Sequence, residues 1–325
     1  KKILAWYDNS KRNLPWRVSK KSSKKLYYRL LSEFMLQQTQ VKTVIPYFNK
    51  FTKKFKTLKS LSKSSEKQIL KLWEGLGYYR RARHLLASSK LLVKKYNSKL
   101  PDNNEEIKKL PGVGEYTANA LLGLVYNQPK IAIDGNVKRV FARLLNKKKE
   151  KIKYKELILL NKKKLFSTNR NADFVEALME FGALICKPKD PKCSVCCLNK
   201  CCKYFKSSKK IITKEKKMIK EVNYDIFCYL NNKQQIALTK ENKISFLKNF
   251  NLPKIKETKR IPKSKSWKFL KNFKNSISNL KLNINLYYKF SNKIPSNYSW
   301  YFLKDNKEFI PSFTKKIFQQ VSILY

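Results

Sequence analysis

Six of the chain's seven cysteines fall between Cys186 and Cys202, and four of them are spaced Cys186-x6-Cys193-x2-Cys196-x5-Cys202. Four thiolates within 17 residues can wrap one compact group, which constrains the local chain more than any hydrophobic pattern does. Thiolate softness suits an iron–sulfur cluster or zinc. The wide first gap and the lack of a second Cys-x2-Cys argue against a four-cysteine zinc ribbon. Cys197 and Cys201 are surplus, so the four ligands are assigned on spacing alone.

The remaining chemistry is limited by what the chain lacks. His84 is its single histidine, which excludes a Ser-His triad and a His-ligated zinc site; His84 itself reads as a helix-surface residue. Acid–base work therefore falls to carboxylates. Lys plus Arg is 74 against 22 Asp plus Glu, a formal net charge of +52. Such an imbalance favours a polyanion, with nucleic acid ahead of an anionic membrane surface. Lys, Asn and Ile are enriched throughout, as an AT-rich genome writes them at neutral surface positions, so charge alone does not decide the partner. The apolar run Ala120–Tyr126 is far short of a membrane span. No signal sequence opens the chain, which implies the cytosol and reduced cysteines. Lys1 is followed at once by the helix-like Ile3–Tyr7, so a few residues are expected to precede it.

At 325 residues the chain can hold two domains. Leu26, Leu30, Leu31, Phe34 and Met35 follow helical spacing, as do Val137, Val140, Phe141 and Leu144, and Phe174, Leu178, Phe181 and Ile185. All seven glycines lie at or before Gly182. Lys206–Lys220 is charged and reads as a linker or a solvated helix end. Beyond it, Lys281–Leu286 alternates as a half-buried strand, Tyr224–Leu230 and Gln234–Thr239 form a hairpin, and Phe313–Val321 forms a closing helix. The expected architecture is a mostly α region over 1–205, a linker over 206–222 and a small α+β domain over 223–325.

Two further features carry chemistry. Leu110-Pro111-Gly112-Val113-Gly114 reads as a hairpin between two helices, the second starting near Glu115. Leu110, Gly112 and Gly114 shape a turn whose free N–H groups at a helix N-terminus can bind phosphate. This motif resembles the helix-hairpin-helix DNA element. Glu33 lies in the apolar run Leu30–Leu36, where a carboxylate is costly unless it is used. Asp134 precedes Gly135-Asn136 at a helix start and reads as a cap or as a catalytic group.

Hairpin, aspartate and cysteine loop, in this order, resemble the endonuclease III superfamily of base-excision glycosylases. Ser32–Gln40, Gly75-Leu76-Gly77-Tyr78-Tyr79 and Asp134–Arg139 are similar to the MutY adenine glycosylases in particular. The resemblance runs from Trp6 to Cys202 and is faint beyond, where the layout is similar to that family's Nudix-like recognition domain. It implies one 4Fe-4S cluster on Cys186, Cys193, Cys196 and Cys202. It also implies a monomeric, nucleoid-associated bacterial enzyme that acts on double-stranded DNA carrying adenine opposite 8-oxoguanine or guanine, with no membrane partner.

Roles follow from the resemblance. Glu33 would protonate adenine, Asp134 would stabilise the sugar cation, Asn136 would orient the site and Tyr116 would stand at its lip. Gln37, beside Gln38, and Tyr78 would wedge into the duplex as the base flips out. Lys138, four residues after Asp134, would lie on the same helical face. Ser278, in Phe273–Asn279, would meet the oxidised guanine, although Asn275 and Asn279 stand where that family has histidines. Endonuclease III itself is the nearest rival, but it needs a lysine nucleophile where this chain has Tyr116. A non-catalytic DNA-binding module would not need Glu33 and Asp134.

Overall fold

The computed structural model describes all residues except 20, 209–210, 212–218, 243, 245–246, 249, 259–265, 278–279 and 305–307. Ser278 and Asn279 thus lie outside the described residues, as does most of 206–222. The chain groups into two compact units, Lys1–Ile69 with Arg80–Glu215, and Leu70–Tyr79 with Lys216–Tyr325. Among the described residues no helix is long and apolar enough to cross a membrane.

The first unit is built from helices. Apolar residues at helical spacing give the helix Lys25–Leu36, which buries Leu30, Leu31, Phe34 and Met35 completely. Each such side chain contributes about 1.5–3 kcal/mol relative to exposure. Phe34→Ala would cost about 3–5 kcal/mol through the cavity it leaves. The helix Asn171–Leu184 packs against three others: Lys2–Ser10, Glu115–Tyr126 and Gly135–Leu145. Glu115–Tyr126 in turn packs on Lys25–Leu36. Asn127 and Asn146 end their helices in the left-handed region at φ 57° and 47°, a conformation asparagine tolerates better than most residues. Gly182 lets two helices close up, because a Cβ there would sit 2.7 Å from the Asn136 Cβ.

Among the described residues, the second unit is a six-stranded mixed sheet with a closing helix, Ser312–Val321. Its strands are β1 (Lys220–Asn231), β2 (Gln235–Leu238), β3 (Lys254–Glu257), β4 (Lys268–Ile277), β5 (Leu280–Phe290) and β6 (Ser299–Phe302). The order is β4-β5-β1-β2-β6, with β3 antiparallel to the other stretch of β1. The pair β1–β5 is parallel, and all other pairs are antiparallel. Alternation in β5 buries Leu282, Ile284 and Leu286 on one face, as its sequence pattern predicts. The turn Asn231–Gln234 joins β1 to β2, also as expected.

Phe273–Ile277, the described part of the segment expected to meet the oxidised guanine, is the end of strand β4, with Phe273 opposite Ile284 and Asn275 opposite Leu282. Its mixed polar and apolar residues hide a period of two that only pairing with β5 makes visible. Asn275 is buried, and its Oδ1 accepts a 2.6 Å hydrogen bond from Lys316 of the closing helix.

The segment Leu70–Tyr79 packs within this second unit, although its sequence position falls inside 1–205. The Tyr79 ring lies 4.8 Å from Phe309 and 5.3 Å from Phe250, and its hydroxyl is 3.1 Å from Ser312 Oγ. Glu74 forms an ion pair with Lys315.

Candidate active site

Glu33 occupies the buried face of Lys25–Leu36 and is 5% exposed. Burial pushes its carboxyl up to about 7. Arg29 opposes the shift, Asp134 and Glu176 add to it, and a hydrogen bond with Tyr116 opposes it. Tyr116 reaches this point from the second turn-flanking helix, Glu115–Tyr126, with its hydroxyl 3.5 Å from the Met179 sulfur. Burial and the two flanking carboxylates keep the phenol protonated. A carboxyl that holds its proton near neutrality, walled from water, has the properties of a general acid.

Asp134 caps the helix Gly135–Leu145, with Oδ1 accepting from Val137 N–H at 2.7 Å and Oδ2 from the Asn136 amide at 2.9 Å. Burial raises its carboxyl, while these two donors hold it toward the ionised form. The helix end that Asp134 satisfies also holds it within electrostatic reach of Glu33. Asn136 Oδ1 accepts from Arg139 at 2.8 Å, and Arg139 also donates to the Cys186 and Gly182 carbonyls at 2.8 and 2.7 Å. Lys138 is exposed, its ammonium 5.8 Å from the centre of the Tyr154 ring.

The hairpin takes the predicted form. Gly112 has φ +79°, and a Cβ there would lie 2.6 Å from His84 Nδ1. Leu110 is buried under the turn, Ser88 Oγ donates to the Pro111 carbonyl at 2.7 Å, and Gly114 caps the next helix with no side-chain bond to its N–H groups. His84, on the helix Arg80–Lys95, lies half-buried against the turn. Its pKa is lowered by burial and by Arg80. The end of Lys25–Leu36 meets the hairpin at Gln37, whose amide is 3.5 Å from the Gly112 carbonyl. Buried Arg81 fixes that end by donating to the Phe34, Met35 and Gln37 carbonyls. Gln38 is exposed at φ 57°. Tyr78, in the second unit, is 43% exposed at φ 48°.

Cys186, Cys193, Cys196 and Cys202 line a common cavity with Arg143 and Tyr204. Cys197 and Cys201 do not line it; Cys197 packs on the apolar cluster around Ile3 and Tyr7, and Cys201 is exposed. Arg143 Nη1 lies 3.4 Å from Cys186 Sγ, and the guanidinium also holds the Lys187 and Pro188 carbonyls. Burial pushes the Cys196 thiol up to about 11 and raises Cys202 as well. Among the described residues no group of three or more His, Cys, Asp or Glu side chains could hold a metal ion. The four thiols surround a space instead of converging on a point.

Sequence reasoning passed over a second set of buried charges. Glu176 and Glu180 lie on Asn171–Leu184, 6% and 2% exposed. Glu180 takes Arg12 and Arg17; Glu176 takes Arg17, Arg29 and the Tyr7 hydroxyl. The signal was available: both carboxylates interrupt an apolar helical run, as Glu33 does.

Residues 31–165 match the HhH-GPD superfamily of base excision DNA repair proteins. The chain is similar to the adenine DNA glycosylase of Buchnera aphidicola subsp. Baizongia pistaciae, with 37% identity over 308 residues, covering 87% of this chain and 83% of that one. The adenine DNA glycosylase of Buchnera aphidicola subsp. Acyrthosiphon pisum is 35% identical over 299 residues, covering 89% and 82%. Among solved structures, a thermostable thymine-DNA glycosylase aligns with a TM-score of 0.56 and 30% identity, over 63% of this chain and 94% of that one.

Proposed function

We propose a reaction for this chain on the premise that it belongs to the adenine DNA glycosylases, within the HhH-GPD superfamily of base excision DNA repair proteins. It is a DNA glycosylase that releases adenine from DNA. In our reading the adenine is paired with 8-oxoguanine or guanine, and water replaces it at the sugar to leave an abasic site.

The observation that carries the mechanism is the pair Glu33 and Asp134: burial raises both carboxyls, and the Val137 and Asn136 donors draw Asp134 back toward its ionised form. Glu33, buried and protonated near neutrality, would give its proton to N7 of the flipped adenine, which leaves far better as a neutral base than as an anion. Asp134, held by Val137 N–H and the Asn136 amide, would stabilise the positive charge that develops on the sugar. Asn136 positions Asp134, and Tyr116 closes the pocket beside Glu33. The hairpin N–H groups at Gly112–Gly114 would hold a phosphate, while Gln37, with Gln38 beside it, and Tyr78 would fill the gap left in the duplex.

Cys186, Cys193, Cys196 and Cys202 would hold one 4Fe-4S cluster. Support comes from these four thiols lining one cavity from which Cys197 and Cys201 are absent. Such a group, when bound, supplies a rigid anchor for the basic loop and no chemistry on the substrate. The sheet over 223–325, joined to 1–205 through 206–222, would be a Nudix-like lesion-recognition domain. Its mixed sheet with a parallel β1–β5 pair supports that layout. Between 240 and 270 only Glu241 and Glu257 are glutamates, too few for the acidic helix of a working Nudix pyrophosphatase.

Strand cleavage is not expected, since a phenol at Tyr116 cannot form a Schiff base. The test is a duplex assay on adenine opposite each of 8-oxoguanine, guanine, cytosine and thymine, with and without alkali. Adenine release opposite the two purines, with nicks only after alkali, is the expected result. Nicking as fast as base release would remove the monofunctional assignment. The enzyme is expected to run as a monomer in light scattering.

A further inference from the structure

Glu33 shares its helix with a buried cation. Arg29 lies one turn earlier on the same face and is 7% exposed. At a separation of four residues a guanidinium and a carboxylate are natural partners. A Glu33 paired with Arg29 would be ionised, with no proton to give. In the structure Arg29 Nη1 donates to Glu176 Oε1 on Asn171–Leu184. Glu176 also receives the Tyr7 hydroxyl, and Arg17 Nε is 3.2 Å away. Arg17 is shared with Glu180, which also takes Arg12.

The charged and titratable groups that act on Glu33 come from four elements. They are Arg29 on its own helix, Tyr116 on Glu115–Tyr126, Asp134 at the cap of Gly135–Leu145, and Glu176 on Asn171–Leu184. Of these four, Arg29 alone is a cation, and it alone would draw the proton off Glu33 by direct pairing.

We propose that Glu176 acts on the reaction through Arg29: by taking this guanidinium into its own ion pair it keeps Arg29 from pairing directly with Glu33, so that Glu33 retains the proton it gives. Glu176 is thus a positioning residue, and the proposal rests on Glu33 being the acid. Glu176 also adds its own negative field at Glu33, in the same direction. Removing its charge has two effects of one sign, since it frees Arg29 and weakens that field.

The experiment is single-turnover adenine release from an adenine:8-oxoguanine duplex, followed across pH for the parent, Glu176→Gln, Arg29→Met and the double variant. The rate of the parent falls as Glu33 loses its proton on the alkaline side. In Glu176→Gln the midpoint of that fall should move down by about one to three pH units, the range for a carboxyl that gains a nearby cation. In Arg29→Met it should move up, because the cation is gone. That variant keeps the test open should Glu176→Gln fold poorly, since Glu176 retains Arg17 and Tyr7. The double variant should return toward the parent midpoint.

A structural role alone would lower the rate at every pH and leave the midpoint in place. Unmoved midpoints in both single variants therefore overturn the proposal. So does a double variant that keeps the low midpoint of Glu176→Gln, because Glu176 would then act without Arg29. Glu33→Gln, run alongside, separates this from the premise: if it turns over like the parent, the acid assignment fails first and the proposal falls with it.

Discussion

The two units differ most in what they bury. Among the described residues, the helical unit buries Arg29, Glu33, Arg81, Arg139, Arg143, Glu176 and Glu180, whereas Asp225 is the one Asp, Glu, Lys or Arg buried in the sheet unit. Asp225 accepts a single 2.9 Å hydrogen bond from Asn285 and faces no cation in that bond. Buried charge is a poor way to stabilise a fold, because desolvation offsets much of the attraction. Where it clusters, as around Glu33, it marks chemistry that needs proton affinities set by surroundings. The sheet unit is held by alternating apolar strands and neutral amides.

The largest test of this contrast is Glu33→Gln. It should lower adenine release by about 10²–10⁴-fold while leaving duplex affinity nearly unchanged, since the amide keeps the shape and loses the proton. Single-turnover rates and a binding titration read the two quantities separately. A variant that still turns over near the parent rate would leave the helical unit's buried charges without a catalytic reason.

Cys193→Ser should abolish bound iron and the absorbance near about 400 nm expected of such a cluster. Cys197→Ser and Cys201→Ser should keep both, because those two thiols lie outside the shared cavity. Iron and zinc analysis of the purified variants decides this, and zinc in place of iron would refute the cluster.

Stability should also depend on pH in the helical unit. The folded Glu33 carboxyl sits near about 7, above its ordinary value of 4.5, so the folded chain retains a proton that the unfolded chain has released. Stability from this group is full at low pH and is lost as pH rises from the unfolded value through the folded one. Glu33→Gln has no such dependence. Its stability relative to the parent should therefore grow between about pH 5 and about pH 8, by on the order of 3 kcal/mol at most. Denaturant midpoints at the two pH values measure it, and a constant difference would contradict a buried, proton-holding Glu33.

The smallest effect is expected in the sheet unit. Ser278→Ala should erode the preference for 8-oxoguanine over guanine by one hydrogen bond, about 1 kcal/mol or several-fold in selectivity. An unchanged ratio of base release from the two mismatches would show that the lesion is read elsewhere.

Much of the helical unit was legible in the sequence because its constraints are local. A glycine turn needs φ +79° at Gly112, a cap needs Asp134 three residues before Val137 N–H, and the cysteine spacing is a property of one loop. Helical periodicity likewise placed Glu33 among Leu30, Phe34 and Leu36, so its burial could be anticipated. The strand at Phe273–Ile277 was missed because its residues alternate only weakly, and its pairing partner in β5, not its own pattern, makes it a strand.

What the sequence determined by itself, then, were the groups: an isolated carboxylate, a capping aspartate, a phosphate-ready turn and four spaced thiols. Only the tertiary structure decided their partners. Arg29 is four residues from Glu33, yet its hydrogen bond goes to Glu176, 147 residues away, and Cys186 is tied back to Asn136 through Arg139. The physical reason is that a charge taken out of water must be answered by whatever helix packs against it. That choice is made by the packing of Asn171–Leu184 on its neighbours and not by any residue's position in the chain.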